Sequence, residues 1–265
     1  DSSTSRGLGD VYKRQIIFFT SCDNSQDQSA AFTGVRVIDA HTKVTTEYFA
    51  KVIFLNASAL NSNLILLNST SNRFPNGLGN DNGLLGKFIA FDNYRATINA
   101  QFEGFPNYTT EGAKPTSHYV PRFRNIYRQE TDFLRGYAAG FGAQPQRKTF
   151  RKGFGAELTN QLLNSKETGV WNVNSHMMGE TIPKSTNLVS LDPEKKDEWG
   201  IPLLNIDVDY DDNDEKMIQD FYEQFTEMYE KAGFVNISTN DNGRKPGNDI
   251  HEMGGVRMGK DPKTS

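Results

Sequence analysis

The sequence KVIFLNASALNSNLILLNS, residues 51–69, is the most strongly patterned stretch of the chain. Residues 51–58 form a largely apolar run, which predicts a β-strand buried on both faces. A polar turn follows, and the positions of Leu64 and Leu67 predict a short helix packed on that strand. A buried strand that leads through a turn into a helix is typical of nucleotide-binding folds, so this stretch predicts an α/β unit.

The residues before this stretch predict further strands. Residues 34–40 alternate between apolar and polar side chains, and residues 41–50 are rich in β-branched and aromatic ones. Residues 16–19 are apolar and favour a short strand. They also imitate a lipoprotein signal ending at Cys22, although a signal core needs ~7–15 apolar residues. Residues 1–15 resemble translated adapter sequence, and we interpret them as a non-native leader.

The residues after this stretch predict a loop and then a sheet. Residues 72–93 are rich in Gly and Asn and predict an extended loop or lid. We interpret its glycines Gly77, Gly79 and Gly83 as turn residues with positive φ rather than as a dinucleotide fingerprint. Short β-like runs in residues 94–175 predict a largely antiparallel sheet with one solvated face. Residues 179–210 predict a hairpin with its turn at 192–200.

The clearest helix is predicted to begin at Asp214 as N-cap and to end at Gly233. Its apolar side chains recur at helical spacing, which is typical of a core-facing stripe, at Met217, Phe221, Phe225 and Met228. Residues 234–238 then predict a strand, and residues 240–249 predict a loop.

Composition excludes several classes of protein. The 265 residues suggest about one or two domains, and the apolar fraction of 36% is too low for a membrane protein and too high for a disordered one. The formal net charge of −4 makes nucleic acid an unlikely partner. Because Cys22 is the single cysteine, no intrachain disulfide can form.

Few residues suggest catalytic chemistry. The acidic run 207–215 resembles a calcium loop, but Asp212 stands where Gly is required and Ile218 where the bidentate Glu belongs, so we predict no metal site. We interpret His41 and His118 as structural residues of the surface or of a sheet, whereas His176 could face a cavity. His251 stands out, because Gly254 and Gly255 follow it and allow close backbone approach to a ligand.

Four segments in order resemble the glucose-methanol-choline (GMC) family of flavin oxidoreductases. Residues 251–262, HEMGGVRMGKDP, are similar to the family's H-x-x-G-[TSG]-x-[RK]-M-G-x-D-P motif. Residues 49–69 resemble the family's strand, turn and leucine-rich helix, and residues 78–88 resemble the loop that follows. Residues 179–202 resemble its E-x-x-P-x-x-x-N-x-V-x-L-[DN]-P segment. The pattern is closest to bacterial members that oxidise sugars or sugar acids.

The chain departs from the family pattern at several positions. Asn56 stands where Ala is usual, Gly255 stands where Thr or Ser is usual, and residues 88–94 lack the Asp-His type pair. The G-x-G-x-x-G fingerprint and the stretch that carries the second catalytic His or Asn have no counterpart. We therefore expect a fragment truncated at both ends, which by itself neither holds FAD tightly nor turns over.

The resemblance implies both a fold and a set of site residues. The expected fold is α/β with an α+β substrate domain: part of a Rossmann-like FAD-binding domain at 16–93, a mostly antiparallel substrate-binding sheet with flanking helices at 94–240, and a return to the FAD domain at 241–265. Ala57, Ser58, Gly254 and Gly255 are expected to bind FAD. His251 is expected to be the catalytic base, because an imidazole of ordinary pKa near ~6.5 suits proton abstraction from an alcohol.

The expected activity is oxidation of an alcohol, of a sugar or polyol, by hydride transfer to FAD. Oxygen, a quinone or a cytochrome would take the electrons, and the protein would lie in the bacterial cytoplasm or periplasm, with no transmembrane segment. One alternative is a non-catalytic carbohydrate-binding surface module or a lipoprotein anchored at Cys22. A second alternative is a family member that has lost activity.

Overall fold

The structure, a computed structural model, describes residues 14–21, 32–105, 118–147, 153–164, 168–248 and 250–261. The secondary-structure elements of these residues follow in the order β1 (Arg14–Ser21), β2 (Phe32–Asp39), β3 (Thr45–Phe49), α1 (Ser58–Asn68), β4 (Asp92–Asn93), β5 (Ala96–Phe102), β6 (His118–Val120), β7 (Tyr137–Arg147), α2 (Ala156–Asn164), β8 (Thr168–Glu180), β9 (Leu188–Lys196), β10 (Pro202–Asp207), α3 (Asp212–Lys231) and β11 (Val235–Asp241).

The chain divides into two compact units. Unit 1 comprises Asp1–Ala90, Pro183–Val208 and His251–Ser265, and unit 2 comprises Phe91–Ile182 and Asp209–Ile250. The sequence placed all of 94–240 in one domain, whereas the structure groups Pro183–Val208 with unit 1. The reason is local, because Leu188 at the start of β9 bridges to Lys87 of unit 1.

Unit 1 begins with an antiparallel sheet in the order β1-β2-β3, which confirms the strands predicted before residue 50. Residues 1–13 and Cys22 lie outside the described residues, so the leader at these positions and the lipoprotein anchor at Cys22 stay predictions. Arg14 and Gln15, which the sequence assigned to the leader, begin β1 and pair with Asp39 and Ile38 of β2.

The buried strand predicted at residues 51–58 is wrong. The structure assigns no strand there, and Val52 and Phe54 are 67% and 83% exposed. A strand requires hydrogen-bonding partners and cover on its apolar faces, and no described segment pairs with these residues. The helix that follows is confirmed as α1, with Asn63 and Ile65 as its buried residues.

The predicted hairpin of residues 179–210 is confirmed by the antiparallel pair β9 and β10. Asp197 closes its turn, because the Oδ1 atom of Asp197 accepts hydrogen bonds from the backbone N–H groups of Trp199 and Ile201, both at 2.9 Å. The indole of Trp199 donates to the carbonyl oxygen of Ala40 at 3.2 Å, which ties the hairpin tip to the end of β2 within unit 1.

Unit 2 contains a six-stranded antiparallel sheet, as the sequence predicted. The strand order is β11-β5-β8-β7-β6, and β4 also pairs with β8. One face of this sheet packs on α3 and contributes Ile98, Val173 and Met177 to the core. The family expectation of a mostly antiparallel sheet with few helices is therefore confirmed, and the Rossmann-like part stays a prediction.

Helix α3 buries most of the stripe predicted for it, at Met217, Phe221 and Phe225. Met228 is 38% exposed, and Tyr229 takes the buried position instead. The predicted N-cap is also shifted. Asp211 caps the helix, and the Asp214 side chain accepts a hydrogen bond from the backbone N–H of Asp211 at 3.0 Å, so that the two residues form a capping box.

Candidate functional site

The residues that follow His251 are held by backbone pairing to the predicted lid loop. Met253 and Ala90 exchange two backbone hydrogen bonds, each 2.9 Å long. The amide of Gly86 donates to the carbonyl of Gly255 at 2.9 Å, and the amide of Gly255 donates to the carbonyl of Lys87 at 3.1 Å. Residues 253–255 therefore run antiparallel to residues 86–90.

The lid loop is paired on its other side as well. The amide of Ile89 donates to the carbonyl of Asn187 at 3.0 Å, and the amide of Val189 donates to the carbonyl of Gly86 at 2.8 Å. Residues 86–90 therefore lie between residues 187–189 and residues 253–255. We call these three segments, all in unit 1, the backbone ladder.

Both glycines of the motif are required by packing inside unit 1. Gly254 and Gly255 have φ angles of 94° and 73°, which L side chains rarely adopt. A Cβ atom on Gly254 would collide with the carbonyl oxygen of Phe88, and one on Gly255 would collide with the carboxamide of Asn63. The space beside each glycine is filled by protein atoms, so their role in flavin binding stays a prediction.

The predicted site residues are placed by two local structures, the ladder and α1. His251 is exposed and lies two residues before Met253, where the ladder begins. Ala57 is half-buried and is the N-cap of α1, and Ser58 is the first residue of the helix, with a φ of 65°. The first turn of α1 carries no acidic side chain, and its N-cap side chain makes no capping hydrogen bond.

Sequence reasoning missed three residues at this site. Asn63 extends from α1 to Gly254, Phe88 lies beside Gly254, and Asn187 accepts a hydrogen bond in the ladder. The guanidinium of Arg257 also lies over the Phe88 ring, 3.7 Å from its centroid. The sequence feature that could have identified Asn63 is its polar side chain, which stands among apolar positions of the predicted helix.

Unit 2 has a polar face on the side of its sheet opposite to α3. Most cross-strand partners on this face carry amide, hydroxyl or imidazole side chains or none, at Thr97, Asn99, Gln101, Asn172, Asn174, His176, Ser238, Asn240, Gly140 and Gly142. Tyr119 and the apolar pair Ala138 and Met178 lie on the same face. The amide of Asn174 donates to Asn99 at 2.8 Å, and the amide of Gln101 donates to Asn172 at 3.3 Å. We call this surface the amide face.

His176 lies on the amide face and not in unit 1 with His251. Its ring contacts Tyr94 at a centroid distance of 4.9 Å and lies over Gly140, where a Cβ atom would collide with the imidazole. Partial burial lowers the pKa of His176 below its ordinary value, so it is neutral over a wider pH range than an exposed histidine.

The His, Cys, Asp and Glu side chains of the described residues form no group of three or more that could hold a metal ion. Within the same residues, no helix has both the length and the apolar character needed to cross a membrane.

Comparison with known proteins supports the class that the motif and the antiparallel sheet indicate. Residues 183–265 match the family described as GMC oxidoreductase. This segment contains the hairpin β9–β10, helix α3 and the His251 motif. This match confirms the resemblance to the GMC oxidoreductase family found in the sequence.

A particular relative extends the match over most of the chain. The 2-methyl-1,2-propanediol dehydrogenase of Mycolicibacterium austroafricanum is 31% identical over an alignment of 252 residues, and the alignment covers 88% of this chain and 43% of the relative. The chain thus spans less than half the length of that dehydrogenase. The activity, the substrate and the partners of the whole protein are therefore proposals.

The ladder predicts a severe effect of a side chain at position 254. We expect Gly254→Ala to lower the thermal unfolding temperature by roughly 5 °C or more, because its methyl group would meet the Phe88 carbonyl at a φ of 94°. Gly243→Ala is the matched control, since Gly243 also has a positive φ but nothing lies within 4 Å of its added Cβ atom. Equal losses for the two variants, measured by calorimetry, would contradict the packing account.

Proposed function

We propose that the complete protein carrying this chain is a FAD-dependent oxidoreductase that oxidises an alcohol group. The match to the GMC oxidoreductase family and the dehydrogenase relative support the class of reaction. The observation that carries the proposal is the ladder. It holds the backbone directly after His251, the residue that matches the base of the family motif, against the lid loop.

Residues of unit 1 fit a flavin cofactor. The first N–H groups of a helix have no partner within the helix, and the first turn of α1, which follows Ala57 and begins at Ser58, carries no acidic side chain. This helix N-terminus therefore suits an anionic or hydrogen-bond-accepting group. Gly254 and Gly255 belong to the His251 motif, and the ladder holds Gly255 by both of its backbone groups, so the two glycines would shape the cofactor site by fixing the course of the chain. We propose that these four residues contribute to holding FAD, which when bound supplies a hydride acceptor for the alcohol carbon.

His251 would act as the base of the reaction. An imidazole nitrogen of His251 takes the hydroxyl proton of the alcohol, and the ladder restricts where that nitrogen can lie because the chain is fixed from Met253 onward. The family pattern implies a second His or Asn that pairs with this residue.

The two units correspond to the two roles expected from the family. The sequence predicted the FAD-binding domain at 16–93 with a return at 241–265. We propose that the parts of these ranges that lie in unit 1, residues 16–90 and 251–265, contribute to the FAD-binding domain, and that the sheet of unit 2 belongs to the substrate-binding domain. The proposed boundary is moved relative to 94–240, because Pro183–Val208 groups with unit 1.

The amide face supports a neutral, hydroxyl-rich substrate. Amide and hydroxyl side chains both donate and accept hydrogen bonds, as sugar and polyol hydroxyls do. Strand glycines such as Gly142, beside which nothing lies within 4 Å, leave room for a ligand to approach the backbone. The named substrate of the relative is also a diol. We therefore propose a sugar or polyol alcohol as the substrate class.

Substitution of His251 tests the reaction. In the protein expressed from the complete reading frame and loaded with FAD, we expect His251→Ala to reduce kcat for alcohol oxidation by about 10²–10⁴-fold, because the proton acceptor is lost. His41→Ala is the control, since His41 is an exposed residue of the turn between β2 and β3. Survival of the rate within a few-fold would refute the assignment of His251.

The complete protein also separates the alternatives. Stoichiometric flavin together with alcohol oxidation supports the proposal. Flavin without turnover on a panel of alcohols and sugars indicates a family member that has lost activity. Carbohydrate binding without flavin indicates a non-catalytic surface module.

The amide face generates a separate prediction about the substrate. We expect Asn174→Ala to raise KM for the alcohol by about 5- to 50-fold, because about one or two hydrogen bonds to neutral partners are lost. Thr239→Ala is the matched control, since Thr239 is an exposed polar residue of β11 that pairs with Ile98 on the opposite side of the sheet. If KM is unchanged in both variants, the amide face does not bind the substrate.

A further inference from the structure

A fully buried amide lies next to the His251 motif. Asn63, in α1, has no exposed surface. Its Nδ2 atom donates one hydrogen bond to the carbonyl of Ala59 at 2.9 Å and another to the carbonyl of Gly254 at 3.3 Å. The second bond joins residues that are 191 positions apart in the sequence. It is a direct side-chain link between α1 and the residues that follow His251.

The same amide explains why the motif departs from the family pattern at Gly255. Family members usually carry Thr or Ser at this position. In this chain the carboxamide of Asn63 lies closer than 3.0 Å to the place where a Cβ atom of residue 255 would be, and the nearest atoms are Nδ2, Oδ1 and Cγ of Asn63. A side chain at 255 and the Asn63 carboxamide therefore cannot occupy the site together.

We propose that Asn63 is a positioning residue for His251, and that its carboxamide replaces the side chain that is absent at Gly255. The Asn63 carboxamide, which extends from α1, fills the space that a side chain at position 255 of the loop would otherwise fill. The hydrogen bond from Asn63 to Gly254 also holds the residues that follow His251 against α1, in addition to the backbone ladder. The positioning role rests on the proposed function of His251, whereas the packing of Asn63 against Gly255 does not.

The polar character of residue 63 supports this role. Within the described residues, the Oδ1 atom of Asn63 is buried without a hydrogen-bond partner. An unsatisfied buried acceptor costs free energy, so an apolar residue of similar size would pack in a helix at lower cost. The favourable contribution of Asn63 is its donor side, which satisfies the carbonyl oxygen of Gly254.

A double-mutant cycle on thermal unfolding tests the pairing without any assay of activity. The variants are Gly255→Ala, Asn63→Ala and the double variant, all in the protein from the complete reading frame. We expect Gly255→Ala alone to lower the unfolding temperature by roughly 5 °C or more, and the double variant to lose clearly less than the sum of the two single losses. The strain of a positive φ at residue 255 is present in both backgrounds and cancels in the cycle.

Additive losses would overturn the pairing, because the Asn63 carboxamide would then not occupy the space beside Gly255. The result is interpretable even if the protein oxidises no alcohol. A failure of the proposed function and a failure of the pairing are therefore distinguishable.

The positioning role is tested by the separation of kcat from KM. We expect Asn63→Ala to reduce kcat about tenfold with KM within twofold of the parent value, because the base is misplaced while substrate contacts remain. Asn68→Ala is the matched control: Asn68 is in the same helix and its amide makes the same kind of bond, to Leu64 at 2.9 Å.

Two results would overturn the positioning role. One is a kcat of Asn63→Ala within twofold of the parent at a temperature where the variant is folded. The other is an equal fall in kcat for Asn68→Ala, which would indicate that any loss of α1 stability has the same effect.

Discussion

The backbone pairing of residues 253–255 with residues 86–90 is the constraint on which the candidate site depends. These hydrogen bonds use main-chain atoms, so they constrain the backbone without using the side chains of the motif. The pairing is possible because Gly254 and Gly255 adopt conformations that L residues rarely adopt, and because no Cβ atom intervenes at Phe88 or Asn63. The exposed His251 is therefore only two residues from Met253, whose backbone is held by hydrogen bonds.

The two units are stabilised in different ways. Unit 2 is organised around an apolar core in which α3 packs its buried aromatic residues on one face of the sheet, and most side chains of the other face are polar. The site region of unit 1 depends on main-chain hydrogen bonds among three segments that are distant in sequence, residues 86–90, 187–189 and 253–255. A substitution in the core of unit 2 should act through the loss of apolar packing, whereas a substitution in the ladder should act through the backbone hydrogen bonds that hold the motif.

Much of the fold could be predicted from local patterns. The alternation at residues 34–40 and the helical spacing of Met217, Phe221 and Phe225 each carry a local signal, and each is present in the structure. The hairpin of residues 179–210 is also present, but its turn is shorter than the predicted 192–200, because β9 continues to Lys196. The buried strand at residues 51–58 was wrong because apolar character predicts burial only where another segment supplies the cover. The sequence also identified the family, since four short segments matched its pattern in order.

The non-local part of the site was beyond sequence reasoning. Nothing in the local pattern indicates that Asn63 contacts a loop 191 positions away, or that Pro183–Val208 leaves the sheet domain for unit 1. Gly255 looked like a departure from the family motif, and its explanation lies in the helix and not in the motif. Flavin binding by Ala57, Ser58, Gly254 and Gly255 stays a prediction to be tested on the complete protein.

Amide hydrogen exchange on the complete protein tests the central claim most directly, because the claim is that backbone hydrogen bonds fix the chain after His251. The amides of Gly86, Ala90, Met253 and Gly255 are the donors that join the lid loop to the motif. We expect them to exchange together and at least about 100-fold more slowly than the exposed Lys245 and Gly247. Fast exchange at Met253 and Gly255, with the amides of β5 and β8 still protected, would contradict the account.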